Sequence, residues 1–320
     1  MHESMKTPPV IEGFEIVGLL GQGGMATVWK ARQLSLNRLV AIKVLSSNVT
    51  NGPDDLRRFC EEARATAQIS HPGIVQAYDA AFAEKLYFVM ELIDGYTVGQ
   101  WLRRKGSIPL PEALLVAESV AAALDYAWEQ IGMIHCDIKP DNIMVDADGT
   151  VKVADLGLSQ RHLAQMDLTD DVLGTPHYMS PEQIQGGALD CRSDIYAMGA
   201  TLYHMLTGRF LFDGKPSAVL DAHLEKAARS LRLVNPELPV PMALLIEKML
   251  AKSPEDRQQN WRQVIESLHR VGQGLPPADV SATCVSSMKR DAETEAVVRS
   301  INRKIVWKKN PIKRFILGAR

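Results

Sequence analysis

Cysteine is scarce in this chain of 320 residues, limited to Cys60, Cys136, Cys191 and Cys284. None stands in a C-x-x-C pair and no histidines sit at zinc-finger spacing, so the sequence encodes neither a metal knot nor a redox pair. The N-terminal MHESMKTPPV lacks the apolar centre of an export signal, and the thiols are therefore expected to stay reduced. Long apolar runs are missing too. The most apolar stretch, residues 113–128, is broken by Glu118 and Asp125 and falls short of the roughly 18 residues that cross a bilayer. Nor is one charge in excess: 36 Lys and Arg against 38 Asp and Glu leave −2, which removes any global pull toward nucleic acid or an anionic membrane. No internal repeat or low-complexity block is evident. These absences predict a soluble, cytoplasmic protein. What is there is ordinary globular material, 46% hydrophobic and 23% charged. At roughly 150 residues per domain, the length allows two core-forming units or one large two-lobed one.

Periodicity and turn signals divide the chain. Residues 1–12 read as a short leader, with Pro8-Pro9 ahead of the first periodic segment. Strands are expected over residues 14–20, 26–32 and 38–45. A helix over 53–69 follows, with Leu56, Phe59, Ala63 and Ala67 on one face, and then strands near 75–82 and 86–92. After Asp94-Gly95 the pattern turns to long helices at 97–104, 111–130, 193–207, 216–228, 241–250 and 261–271. The fold class is therefore α+β: a small β-rich lobe with one helix over about 13–92, a hinge near 91–95, and a larger helical lobe over about 95–271. The tail, residues 272–320, differs. From Lys289 to Arg320 it carries ten basic and three acidic residues, a local +7 that leaves −9 on the rest.

Three segments carry chemistry. The first is Gly21-Gln22-Gly23-Gly24-Met25-Ala26-Thr27-Val28, between two strands. A glycine turn lets backbone N–H groups approach phosphate oxygens, although a plain glycine hairpin has the same composition. A dinucleotide fingerprint is disfavoured because a strand follows, not a helix. The second is Val40-Ala41-Ile42-Lys43-Val44. Period-two geometry puts Ala41 and Lys43 on one face and Val40, Ile42 and Val44 on the other. A lysine in such a strand either snorkels from an edge or needs an anionic partner. Glu62, on the margin of the apolar stripe of the 53–69 helix, offers one. The third is His135-Cys136-Asp137-Ile138-Lys139-Pro140-Asp141-Asn142, a loop because Pro140 disfavours helix before it. Two short strands with an Asp146-Ala147-Asp148-Gly149 turn then return the chain, so that Asp155-Leu156-Gly157 lies beside Asn142. Asp137 is free to orient a hydroxyl. Asn142 and Asp155 offer hard oxygen ligands suited to Mg²⁺, which commonly also takes phosphate oxygens. The D-x-D-G of the turn lacks the later ligands of a calcium loop.

In order and spacing these residues resemble the signature set of protein kinases: glycine-rich loop, strand lysine, helix glutamate, H-x-D-x-K-x-x-N loop, D-x-G metal motif and the P-E motif of Ser180-Pro181-Glu182. The stretch from Gly174 to Gln183 is similar to bacterial eukaryotic-like Ser/Thr kinases in particular. The resemblance covers about residues 12–271. It implies a bilobal kinase fold, with a small antiparallel N-lobe carrying one helix and a larger helical C-lobe, and a catalytic domain over 13–271. It further implies that Leu20, Gly21, Gln22, Gly23, Gly24, Met25, Ala26 and Val28 cover ATP, with Ala41 and Val28 packing on the adenine. Met90 is the implied gatekeeper, and the backbones of Glu91 and Ile93 meet the adenine edge. Lys43, positioned by Glu62, holds the α- and β-phosphates. Asp137 takes or orients the substrate hydroxyl proton, Lys139 neutralises the γ-phosphate, and Asn142 and Asp155 hold Mg²⁺, with Mn²⁺ an alternative. Glu182, Asp194 and Arg257 are implied structural residues, and Thr169 and Thr175 candidate autophosphorylation sites. The implied activity is transfer of the γ-phosphoryl of MgATP to Ser or Thr hydroxyls of proteins.

The chain departs from the pattern at three places. Cys136 stands where regulated kinases have an arginine that reads a phosphorylated loop, so activity is expected not to depend on such a contact. Ala26 replaces the third loop glycine and Leu156 the usual phenylalanine; both swaps should be tolerated. A nucleotide-binding pseudokinase and a small-molecule kinase are the competing readings. Lys43, Asp137, Asn142 and Asp155 argue against the first, and the segment from Gly174 to Glu182, similar to a peptide-docking platform, against the second. No sensor domain or membrane span accompanies the unit, so a cytosolic input is expected. In the tail, basic residues interleave with Trp307 and Phe315, a composition suited to an acidic membrane surface, nucleic acid or an acidic partner, to a solvated tail, or to docking on the acidic remainder of the chain. Val297, Ile301 and Ile305 recur at helical spacing.

Overall fold

The computed structural model describes residues 8–23, 26–45, 67–82, 86–156, 176–278 and 288–309; in the last segment the side chains described are those of 289–300. Alternation of apolar and polar residues builds the first lobe. Strands β1 (Phe14–Gln22), β2 (Ala26–Gln33), β3 (Arg38–Leu45), β4 (Ala77–Phe82) and β5 (Leu86–Met90) form one antiparallel sheet in the order β1-β2-β3-β5-β4. Val40, Ile42 and Val44 pack with Trp29, Ala31 and Val89 on one face, each burial worth roughly 1.5–3 kcal/mol for a side chain of this size. Lys43, between them in sequence, faces the other way, as period two requires. The register of β1 against β2 slips twice, between Ile16 and Gly18 and between Leu19 and Gly21, which twists the strand just ahead of the glycine turn.

The expected hinge near 91–95 runs directly into paired backbone. Gly95–Thr97 is a short strand, β6, laid antiparallel on β7 (Ile143–Asp146), which in turn pairs with β8 (Val151–Val153). Gly95 is required here: a Cβ would come within 1.9 Å of the Val145 carbonyl oxygen. Thr97 then caps α1 (Val98–Lys105) in a reciprocal capping box with Gln100. The lobe's core is built by α2 (Leu110–Ile131), α4 (Cys191–Thr207), α7 (Val240–Met249) and α8 (Trp261–Gly272), which bury Leu124, Ile195, Met198, Ile246, Trp261 and Leu268. The short helix α3 (Pro181–Ile184) opens the lobe's cleft side. The helix expected over 216–228 stops earlier, as α5 (Pro216–Glu225), because Lys226 is extended and leads into the two-residue strand β9 (Ala228–Arg229) and the short helix α6 (Leu231–Val234).

The chain beyond α8 comes back to the lobe. Met288–Lys289 forms β10, parallel to β9, and Ala292–Lys309 forms α9, whose Val298 packs on Val240 and Leu244. Of the arrangements open to the tail, docking on the chain's own lobe is the one the described contacts show for 288–300. The attachment works in both directions of charge: Arg290 meets Glu247, while Asp291 and Glu293 meet Arg232. Among the described residues no helix is long and apolar enough to cross a membrane.

Candidate active site

The loop from His135 to Asn142 is held in an unusual backbone shape. Cys136 has φ of 65°, the left-handed region that costs a residue with a Cβ about 1–3 kcal/mol. Asp194, buried at the start of α4, offsets that cost. Its two carboxylate oxygens accept from the backbone N–H groups of His135 (2.7 Å) and Cys136 (2.8 Å), and charge-assisted bonds of this kind contribute roughly 1.5–3 kcal/mol each. Burial pushes the Asp194 carboxyl up to about 6, against the pull of His135 and the two amides. At neutral pH it is still chiefly the ionised acceptor. The carbonyl of Cys136 is taken by Gln183 Nε2 at 2.8 Å. Gln183 is itself fixed by the capping box with Ser180 that starts α3. Sequence reading did not assign Gln183 a role, although S-x-x-Q before a helix is a recognisable capping signal.

This scaffold places three polar side chains together. Asp137 Oδ2 accepts from Lys139 Nζ at 2.6 Å and from Asn142 Nδ2 at 2.9 Å, and Asn142 Nδ2 also donates to the Asp137 carbonyl. One carboxylate oxygen is thus tethered, and among the described residues Oδ1 has no hydrogen-bond partner and is left to accept. His135 Nδ1 accepts from the Asp137 N–H, so Nε2 carries the proton and donates to the Ala154 carbonyl at 2.9 Å. That bond, with Ala154 N–H to the Asn142 carbonyl at 2.9 Å, sets Asp155 beside the loop. Asp155 also has a left-handed φ, 60°, and pairs with Lys43 Nζ at 2.8 Å across the two lobes. Burial pushes the Asp155 carboxyl up, but Lys43, with His135 and Lys139 beyond, outweighs it and holds the carboxyl below the usual carboxylate range.

The remaining predicted residues lie on the strands of the first lobe, in the second lobe, or outside the described residues. Ala41 pairs with Met90, and Val28 with Lys43, across adjacent strands. Leu20, Gly21, Gln22, Gly23 and Ala26 flank the turn between β1 and β2. The ladder of β5 ends at Met90; the Glu91 carboxylate then pairs with Lys152 at 2.9 Å and accepts from Gln76 N–H, and Ile93 is buried. No periodic or motif signal marks the Lys152 contact in advance. Glu62, Gly24, Met25, Thr169 and Thr175 lie outside the described residues. Glu182 and Arg257 form a two-pronged buried pair at 2.6 and 2.8 Å, with Ser193 donating to the same carboxylate. Arg257 and Ser193 outweigh the burial that pushes this carboxyl up and hold it low.

The donor set fits a magnesium ion. Asn142 spends its amide nitrogen on Asp137, which leaves the carboxamide oxygen, and Asp155 supplies an ionised carboxylate. Two hard oxygens of this kind, with the remaining positions left to phosphate and water, suit Mg²⁺.

Comparison with known proteins by sequence and by shape points to one family. Residues 14–268 match the family described as protein kinase domain. The chain is 36% identical over 261 residues to a probable serine/threonine-protein kinase of Clostridium perfringens, covering 81% of this chain and 38% of that protein. It is 36% identical over 298 residues to the serine/threonine-protein kinase PknB of Mycobacterium leprae, covering 88% and 48%. It is 38% identical over 250 residues to PrkC of Bacillus subtilis, covering 77% and 38%. Among solved structures, the kinase domain of Mycobacterium tuberculosis PknI superposes with a TM-score of 0.68 at 26% identity, over 83% of this chain and 99% of that one. The chain belongs to the protein kinase family, in its bacterial serine/threonine branch. It spans less than half the length of these curated relatives.

Proposed function

We propose that this chain transfers the γ-phosphoryl group of MgATP to serine and threonine hydroxyls of proteins. The observation that carries the reading is the Asp137 carboxylate, with one oxygen held by Lys139 and Asn142 and the other left to accept, on a loop facing the Lys43–Asp155 pair.

Asp137 Oδ1 receives the acceptor hydroxyl's proton as that oxygen bonds to the γ-phosphorus and the bond to the β-phosphate oxygen breaks, releasing ADP. Lys139 stays on Asp137 Oδ2 and brings its positive charge to the γ-phosphate. Lys43 holds the α- and β-phosphates, with Glu62 as its helix partner. Leu20, Gly21, Gln22, Gly23, Gly24, Met25, Ala26 and Val28 cover the nucleotide, Ala41 and Val28 pack on the adenine, Met90 is the gatekeeper, and the backbones of Glu91 and Ile93 meet the adenine edge. Asn142 and Asp155 hold Mg²⁺, or Mn²⁺ in its place, which when bound neutralises and aligns the phosphate oxygens. Little covalent work is asked of the protein; placement and charge carry the catalysis.

Residues 176–182 are the acceptor platform, and Thr169 and Thr175 are candidate sites of autophosphorylation. Cys136 cannot grip a phosphate, so activity does not depend on a phosphorylated loop read at that position. MgATP is an intracellular substrate, and we place the enzyme in the cytoplasm. The described tail contacts are with the chain's own lobe, and no acidic partner or membrane is proposed for them. The test is incubation with γ-labelled ATP and Mg²⁺ beside a mixed protein acceptor and a panel of sugar and aminoglycoside hydroxyls, followed by site mapping. Label on serine or threonine is expected; label on small molecules alone, or nucleotide binding without transfer, overturns the reading.

A further inference from the structure

Residues 288–300 are seated on the helical lobe by a specific register, not by bulk charge. The Ser230 N–H donates to the Lys289 carbonyl at 2.8 Å, continuing the β9–β10 pairing. Arg232 forks to Asp291 at 2.8 Å and to Glu293, and donates to the Leu238 carbonyl at 2.5 Å. Arg290 grips Glu247 through both carboxylate oxygens and reaches Glu295 at 3.4 Å. Glu247 is 3% exposed, so the cation that reaches it neutralises a carboxylate with almost no water. Asp291 accepts from the Thr294 N–H at 2.7 Å, fixing the first turn of α9, and Val298 closes on Val240 and Leu244.

The landing place matters. β9 begins three residues after α5 ends. α5 packs against the turn at residues 176–178 and against α3. Its His223 lies under Phe212, with Nδ1 2.8 Å from the Tyr196 hydroxyl, while His177 of the turn stacks on Phe210 at 3.9 Å. The segment therefore holds the stretch of chain that continues directly from the helix behind the acceptor platform.

We propose that residues 288–300 form a clasp that positions α5 and the 176–178 turn for the protein acceptor, with Arg232 and Arg290 as positioning residues. The proposal rests on the acceptor role given above to residues 176–182. It assigns the clasp no contact with ATP, so its loss acts on the acceptor and not on the nucleotide.

The test uses the full chain with Asp291→Ala/Glu293→Ala and, separately, Arg290→Ala. Backbone amide exchange is read over residues 216–234 and 288–300, together with KM for a protein acceptor and for ATP. Exchange does not require catalysis, so a protein that transfers no phosphate sinks the functional reading while the clasp is still tested. Release of 288–300 should speed exchange over 216–234 by about tenfold or more. Acceptor KM should rise by about threefold or more while KM for ATP and kcat stay within about twofold. The proposal is overturned if 288–300 is released while exchange over 216–234 and acceptor KM stay unchanged, or if neither variant releases it.

Discussion

At the scale of single residues, the site depends on groups that hold backbone as much as on groups that would touch substrate. Asp194 is the clearest case, because both of its oxygens are spent on the N–H groups of His135 and Cys136. An asparagine there turns one acceptor into a donor facing a donor, at about 1–3 kcal/mol for a buried unsatisfied group. Asp194→Asn is expected to lower the thermal midpoint by about 2–4 °C per kcal/mol lost. Phosphoryl transfer should fall by about tenfold or more, since a small misplacement of a catalytic group costs on that order. Unchanged turnover in a folded variant would show that the loop keeps its shape without the clamp. Period two alone separated Ala41 and Lys43 from Val40, Ile42 and Val44, and the structure keeps that division. The partners of Asp194 and Lys152 were not legible, because each bond spans about sixty positions and leaves no periodic trace.

At the scale of elements, the long amphipathic segments were readable and the short ones were not. Helices α2, α4 and α8 lie within about two residues of their expected ends, as strong periodicity allows. The strand at Gly95–Thr97 was hidden because a three-residue strand opening on glycine looks like a turn. The clasp was hidden for another reason: the net +7 of residues 289–320 as a whole masks Asp291 and Glu293, the individual residues that seat it. The pair between α3 and the residue after the turn at Pro254–Asp256 is an element-level tie, for Arg257 is 1% exposed and bonds Glu182 and the carbonyls of Ala251, Lys252 and Arg192. Arg257→Met strands an ionised carboxylate, and such breaks cost about 3–5 kcal/mol. Chemical denaturation should show that loss, with a smaller loss in Glu182→Leu/Arg257→Met, where no charge is left unpaired. Equal losses in the single and double variants would mean the pair is not coupled.

At the scale of the whole molecule, pH sets the stability through buried histidines. Burial lowers the His204 pKa to about 4 and the His223 pKa to about 3. Both folded values lie below the unfolded value near 6.5, so the native state excludes protons that the unfolded chain takes up. Their stabilisation is complete above about pH 6.5 and is lost as pH falls toward the folded values. Asp194, whose carboxyl is pushed up, works the other way between about pH 4 and 6. Denaturant midpoints measured from pH 7 to pH 4 should fall, and His204→Gln should flatten that slope by about one proton. A variant slope equal to the native one would remove His204 from this account.

The central claim concerns the Asp137 carboxylate, tethered on one oxygen and open on the other. The most direct test is single-turnover transfer from γ-labelled ATP to a serine or threonine acceptor by the native chain and by Asp137→Asn, with MgATP affinity measured on both by calorimetry. We predict native turnover in the range of roughly 1–100 per second that is typical of protein kinases. We predict a loss of about a hundredfold or more in the variant, with nucleotide affinity unchanged, as removal of a general base requires. Native-level transfer by Asp137→Asn would contradict the account.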